Sequence, residues 1–174
     1  MTLSEIRLRA LEQAGEFEPM GSIQDRSLTQ YINEGYASLC PDGTLETVQL
    51  TVTGGTAPLP AGFSELCCVT DALGNLRRFH ISGGMIHLSP DGLYTARVML
   101  ALKPLTSMGE EPRIPEHLHG VLADYAAWRF LSTGGRPQQM RAEHYHQAFL
   151  LQKSQLQRQT DAARGARNRV NKYS

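Results

Sequence analysis

The chain has 174 residues, 41% of them hydrophobic, and its 17 Lys and Arg residues balance its 17 Asp and Glu residues. A chain of this size can bury one sizeable core. Zero net charge argues against a general nucleic-acid binder, whose excess charge spreads over a face. No apolar run approaches the ~18 residues that a membrane-spanning helix needs. We expect Cys40, Cys67 and Cys68 to be reduced thiols of a protein made in the cytoplasm.

The chain opens with two predicted helices. Apolar residues at helical spacing predict a first helix over about 2–14, which Thr2 or Ser4 can cap and Gly15 ends. A second apolar stripe predicts a helix over about 26–39, before the helix-stopping sequence Pro41-Asp42-Gly43.

From Leu45 the apolar period changes to two, which is typical of strands. Alternation and tight-turn sequences predict four or five strands between about 46 and 104, joined as a small antiparallel meander. The order of helix, helix, strands, helix, helix lacks β-α-β alternation and predicts an α+β fold. We expect a helical bundle with the sheet inserted between its two halves.

The last two helices are predicted as an antiparallel hairpin over about 115–133 and 137–160. Gly134-Gly135 offers residues that can end the first helix with a positive φ, and the short link brings the two helices face to face. The second helix has its predicted inward positions at Met140 or Ala142, Tyr145, Phe149, Gln152 and Leu156. Trp128 is interpreted as bundle core or as an interface residue, and Trp128, Tyr145 and Phe149 are candidate anchors between subunits.

Beyond a single domain over 1–160, residues 161–174 are predicted to form a basic flexible tail. The sequence after Leu156 is basic and nearly without large aliphatic residues, so we expect no core to use it. It can be a solvated end, a nucleic-acid arm, or a segment that docks on a partner. The docking residues would be Arg158, Arg164, Arg167, Arg169, Lys172 and Tyr173.

Two E-x-x-H units, Glu116 to His119 and Glu143 to His146, are the strongest catalytic signal. Such units bind metal pairs in helical bundles. Across the predicted hairpin, however, the two units lie on the order of 15 Å apart at 1.5 Å per residue, too far to share two ions about 3.5–4 Å apart. We expect these histidines at the surface or rim, no metal or other cofactor, and no catalytic residues. His80 and His87, on strands, have no Ser or Asp placed to suggest a triad.

Several segments, in their order along the chain, resemble one known family. They are TLSEIRLRALEQAG, SLTQYINEGYASLCPD, LPAGFSEL and RIPEHLHGVLADYAAWRFLSTGG, followed by a helix around AEHYHQAF. Together they cover nearly the whole chain and are similar to the head-to-tail adaptors (connectors, or tail-tube gatekeepers) of tailed bacteriophages. The β region here is shorter than in many members.

The resemblance implies a structural virion protein rather than an enzyme. Such adaptors form a ring, usually of twelve copies, beneath the portal protein, and they connect the DNA-filled head to a tail, tail-tube or nozzle protein. The resemblance implies that residues 158–173 insert against the portal, that the bundle contacts neighbouring subunits, and that genomic DNA passes through the channel. The protein would then reside in the neck of the virion, with no membrane partner. The alternatives are a nucleic-acid-binding accessory protein that uses the basic tail, and a small E-x-x-H metalloprotein.

Overall fold

The computed structural model describes residues 1–15 and 22–171 and shows the expected α+β fold with its C-terminal helical hairpin. By its internal contacts the chain divides into two compact units. Unit 1 comprises Met1–Pro41 and Lys103–Leu156 and is helical. Unit 2 comprises Asp42–Leu102 and the part of the last helix that starts at Gln157. This division differs from the predicted one, which kept residues 1–160 together.

In its described residues, unit 1 contains four helices: α1 (Leu3–Ala14), α2 (Ser22–Leu39), α3 (His119–Leu131, after a 3₁₀ turn at Glu116–Leu118) and the first part of α4 (Arg136–Asn171). Thr2 rather than Ser4 caps α1. Its Oγ1 accepts from the Glu5 N–H (3.3 Å) and its own N–H donates to Glu5 Oε2 (2.8 Å), which is a capping box. Gly15 ends the helix at φ 80°. Both α1 and α2 pack on α3, which forms the expected helical bundle.

Two ring contacts set the register of the α3–α4 hairpin. Tyr125 and Phe149 meet edge to face with centroids 4.8 Å apart, and Trp128 stacks on His146 at 4.0 Å with an interplanar angle of 5°. At the next turn Leu131 and Ala142 are buried in one cluster. Of the two alternatives for the first inward position of α4, Ala142 is buried and Met140 is 73% exposed.

The turn between α3 and α4 does not use a left-handed glycine, so the prediction of a positive φ there is wrong. Backbone N–H and hydroxyl groups together satisfy the last carbonyl groups of α3. Trp128 O accepts from the Ser132 N–H at 2.9 Å and from Ser132 Oγ at 2.7 Å, and Phe130 O accepts from the Thr133 N–H at 3.4 Å and from Thr133 Oγ1 at 2.8 Å. The helix therefore ends without the αL conformation.

Unit 2 contains two three-stranded antiparallel sheets. The strands are β1 (Thr44–Val52), β2 (Thr56–Pro58), β3 (Phe63–Thr70), β4 (His80–Ser82), β5 (Met85–His87) and β6 (Gly92–Leu100). Their orders are β1-β6-β3 and β2-β5-β4. The strands therefore do not follow a meander, because β6 lies between β1 and β3. In β6, Val98 belongs to the main cluster of unit 2 and Met99 to a second cluster, as residues on opposite faces of a strand should.

The second cluster corrects the prediction that no core uses the residues after Leu156. Ala163 of α4 is buried against Cys67 and Met99. The helix continues to Asn171, so residues 161–171, predicted to be flexible, are helical. Phe149, Leu156 and Ala163 are each seven residues apart and all buried. Alanine marks the inward face here because a small side chain lets the helix approach the strands closely.

Candidate interaction surfaces

Arg164 is a structural residue of unit 2. Its Nη1 contacts Asp42 Oδ2 at 2.9 Å, and its Nε and Nη2 contact Glu65 Oε2 at 3.0 Å. These hydrogen bonds, that to Asp42 first, raise the pKa of the Arg164 guanidinium. Three of its five N–H donors contact carboxylates of its own chain, which argues against the predicted docking role of Arg164.

The other residues of the predicted docking set divide into two groups. Arg158 is exposed on α4. Arg167 and Arg169 lie in the last turns of α4, but their side chains, together with Lys172 and Tyr173, lie outside the described residues. The docking prediction therefore narrows to Arg158 and to the chain from Arg167 onward.

The three predicted intersubunit anchors all contact their own chain. Phe149 is 2% exposed inside the bundle, so it cannot reach a neighbouring subunit, and the prediction for this residue is wrong. Tyr145 is half-buried and donates its hydroxyl to Gln13 O at 3.2 Å. Trp128 is half-buried between its contacts with Tyr125 and His146.

Large apolar side chains face solvent on α4, at positions outside its predicted inward face. Leu151 is 58% exposed and Leu150 is 41% exposed. Met140 and Leu151 are eleven residues apart, which is about three helical turns. The two side chains thus share one exposed strip of the helix, which we call the outer stripe. The sequence contains a sign of this exposure, because Leu150 and Leu151 do not lie at the helical spacing of the inward positions. Those positions are Ala142, Tyr145, Phe149 and Leu156.

The two E-x-x-H units have different surroundings. His119 is buried, contrary to the expectation of a rim position. Its Nε2 donates to Ile114 O at 3.0 Å, since a carbonyl oxygen can only accept, and its Nδ1 lies 2.7 Å from the Met1 amino group. His146 lies flat on Trp128. Among the described residues, no three His, Cys, Asp or Glu side chains are grouped so that they could hold a metal ion.

Unit 2 has a cleft of about 720 Å³ beside the β4–β5 hairpin. Arg77, Arg78, His80 and His87 line it. The sequence predicts both histidines on strands but leaves their pairing open. The dipeptide Gly83-Gly84 could have indicated that pairing, because a two-residue turn there places residue 80 opposite residue 87, as observed.

No protein-family model matches the chain, and a comparison with curated proteins finds no significant match. Within the described residues, no helix is both long and apolar enough to cross a membrane.

Proposed function

We propose that this chain is a head-to-tail adaptor of a tailed bacteriophage. Copies of it form a ring beneath the portal protein and connect the head to the tail. The proposal rests on the resemblance in motif order and on one structural observation, the outer stripe of α4. In a single chain this stripe leaves Met140 and Leu151 in water although the bundle has its own buried core.

A second copy is the proposed cover for the outer stripe. Exposed apolar side chains along one face of a helix are a common feature of protein interfaces. A contact between two copies through so few apolar side chains is weak, so isolated chains remain monomeric. The portal gathers several copies at high local concentration, and closure of the ring then adds the weak contacts together.

Docking on the portal is assigned to the end of α4, from Arg167 onward, together with Arg158. Because the backbone is already helical to Asn171, this end does not have to fold on binding, which lowers the entropic cost of docking. Arg164 and Ala163 hold the preceding turn of the helix on unit 2.

Two variants test the proposal separately. Deletion of residues 167–174 keeps Arg164 and its ion pairs, so the protein should fold but should no longer bind portal particles of the same phage. Leu151→Glu should fold and bind as single copies but should fail to complete a ring, because a carboxylate would be buried between subunits.

Co-sedimentation with portal particles measures binding, and electron microscopy measures ring completion. Arg136→Ala is the matched control, because it removes an exposed charge at the N-terminal end of α4. It should behave as the unchanged protein. Portal binding by the deletion variant at unchanged affinity would contradict the docking assignment. Complete rings of Leu151→Glu would contradict the interface.

A further inference from the structure

The cleft of unit 2 has the composition of an anion site. Its side chains come from the segment 76–80 on one side and from 87–89 on the other, and Gly55 completes it. Four of its nine lining residues are Arg or His, and none of the nine carries a carboxylate. Two carboxylates adjoin the lining: Asp71 pairs with Arg77 at 2.7 Å, and Asp91 Oδ1 accepts from the Gly55 N–H at 2.7 Å.

Arg77 is held in place by Asp71, and this ion pair uses only part of its hydrogen-bonding capacity. Its Nε and Nη2 donate to Asp71 Oδ2 at 3.0 and 2.7 Å. Asp71 also accepts from the backbone N–H groups of Leu73 and Asn75, and these bonds, led by that from Asn75, lower its pKa to about 2. A guanidinium has five N–H donors, so three donors of Arg77 are not engaged by this carboxylate.

The two histidines form a cross-strand pair at the cleft. His80 on β4 lies directly opposite His87 on β5, and their ring centroids are 5.9 Å apart. Ser82 Oγ lies 2.8 Å from His87 Nε2 and fixes that ring. The pair thus places two imidazole rings, whose N–H groups can donate to an anion, at one side of the cleft.

The remaining lining indicates what kind of anion would fit. Leu76, Phe79 and Leu88 also face the cleft, so apolar surface adjoins the basic groups. The volume lies in the range of roughly 300–1,000 Å³ that is usual for sites of small organic ligands, which is far more than a phosphate ion alone requires. A phosphate ester joined to a flat ring matches both halves of the lining, since the phosphate pairs with guanidinium groups and the ring packs on apolar and aromatic side chains.

We propose that this cleft binds nucleotides, with the phosphate held by Arg77, Arg78 and the His80–His87 pair, and the base placed on Phe79 and Leu76. The nucleotide can be free or can be one unit of a single strand, since both present the same phosphate and base. The site belongs entirely to unit 2 and does not depend on the adaptor proposal.

Isothermal titration of the full chain with ATP, with the octanucleotide dT8, with inorganic phosphate and with adenosine tests the proposal. We expect saturable binding of ATP or dT8, weaker binding of phosphate and none of adenosine. Saturation by ATP identifies a free nucleotide as the ligand. Saturation by dT8 alone identifies a strand.

Arg78→Ala and His80→Ala should each weaken the binding, the first by at least about tenfold, because a charge-assisted hydrogen bond is lost. Arg136→Ala removes one charge from an exposed position at the start of α4, outside the cleft, and should leave the affinity unchanged. Far-UV circular dichroism checks that each variant is folded. Absence of binding by every phosphate ligand, or equal weakening by Arg136→Ala, would overturn the proposal. Neither result would affect the portal experiment.

Discussion

Truncation of Phe149 tests whether this side chain is core or interface. Phe149 is 2% exposed and packs edge to face on Tyr125. Removing a buried phenyl ring typically costs about 3–5 kcal/mol, a large share of the roughly 5–15 kcal/mol that stabilises a domain. Phe149→Ala should therefore lower the free energy of unfolding of unit 1 by about 3–5 kcal/mol. An intersubunit anchor would instead leave the stability of the isolated chain unchanged.

This loss of stability is measured by unfolding in urea, with far-UV circular dichroism and the fluorescence of Trp128 as the two signals. Trp128 is the only tryptophan of the chain, and it lies in the same hairpin, so its emission reports unit 1. Leu151→Ala, two residues further along the helix and 58% exposed in the chain, is the matched control. It should change the stability by less than about 0.5 kcal/mol. A loss below about 1 kcal/mol for Phe149→Ala, or an equal loss for both variants, would refute the assignment.

Three further predictions concern packing, charge and pH. A Cβ added at Gly35 would lie 2.8 Å from a ring carbon of Tyr125, whereas one at Gly165 meets nothing within 4 Å. Gly165→Ala should therefore stabilise the protein by up to about 1 kcal/mol through helix propensity, and Gly35→Ala should destabilise it by about 1 kcal/mol, because an overpacking cost of 1–3 kcal/mol exceeds that gain. Thermal melts that gave the reverse order would contradict the α2–α3 packing. Arg164→Ala should cost about 1–2 kcal/mol in urea unfolding, and the loss should shrink in high salt; a loss that salt does not change would contradict the ion pairs. Burial raises the pKa of Asp124, so its contribution to stability falls as the pH rises from the ordinary carboxyl range through the raised pKa. Asp124→Asn should then be more stable than the unchanged protein at pH 7, with the difference disappearing near pH 3; an advantage that persists at pH 3 would exclude this cause.

The sequence was sufficient for the fold class because each element carries a strong local signal. The capping box at Thr2 and the seven-residue spacing of Phe149 and Leu156 depend only on nearby residues. Such patterns predicted the α+β class, the antiparallel strands and the C-terminal hairpin, and the structure confirms all three.

The strand order could not be obtained in the same way. A meander follows from tight turns between consecutive strands, and the turn at Gly83-Gly84 does join β4 to β5. The pairing of β6 with both β1 and β3 depends instead on contacts between residues far apart in the sequence, such as Thr44 with Leu100. No local pattern contains that information.

The prediction for the basic end of α4 was wrong for a similar reason. Composition alone suggested that residues after Leu156 serve no core. Ala163 is buried because strands β3 and β6 lie against that turn, and Arg164 finds Asp42 and Glu65, which are about a hundred residues away in the chain. A small residue and a charged one become structural only through partners that the sequence does not place beside them.

The mass of the purified chain, measured by light scattering alone and with portal particles of the same phage, tests the adaptor proposal most directly. We predict a 19.2 kDa monomer in isolation. With portals, we predict a ring of copies that caps each particle and is visible by electron microscopy. A monomer that does not associate with the portal at any ratio would contradict the proposal.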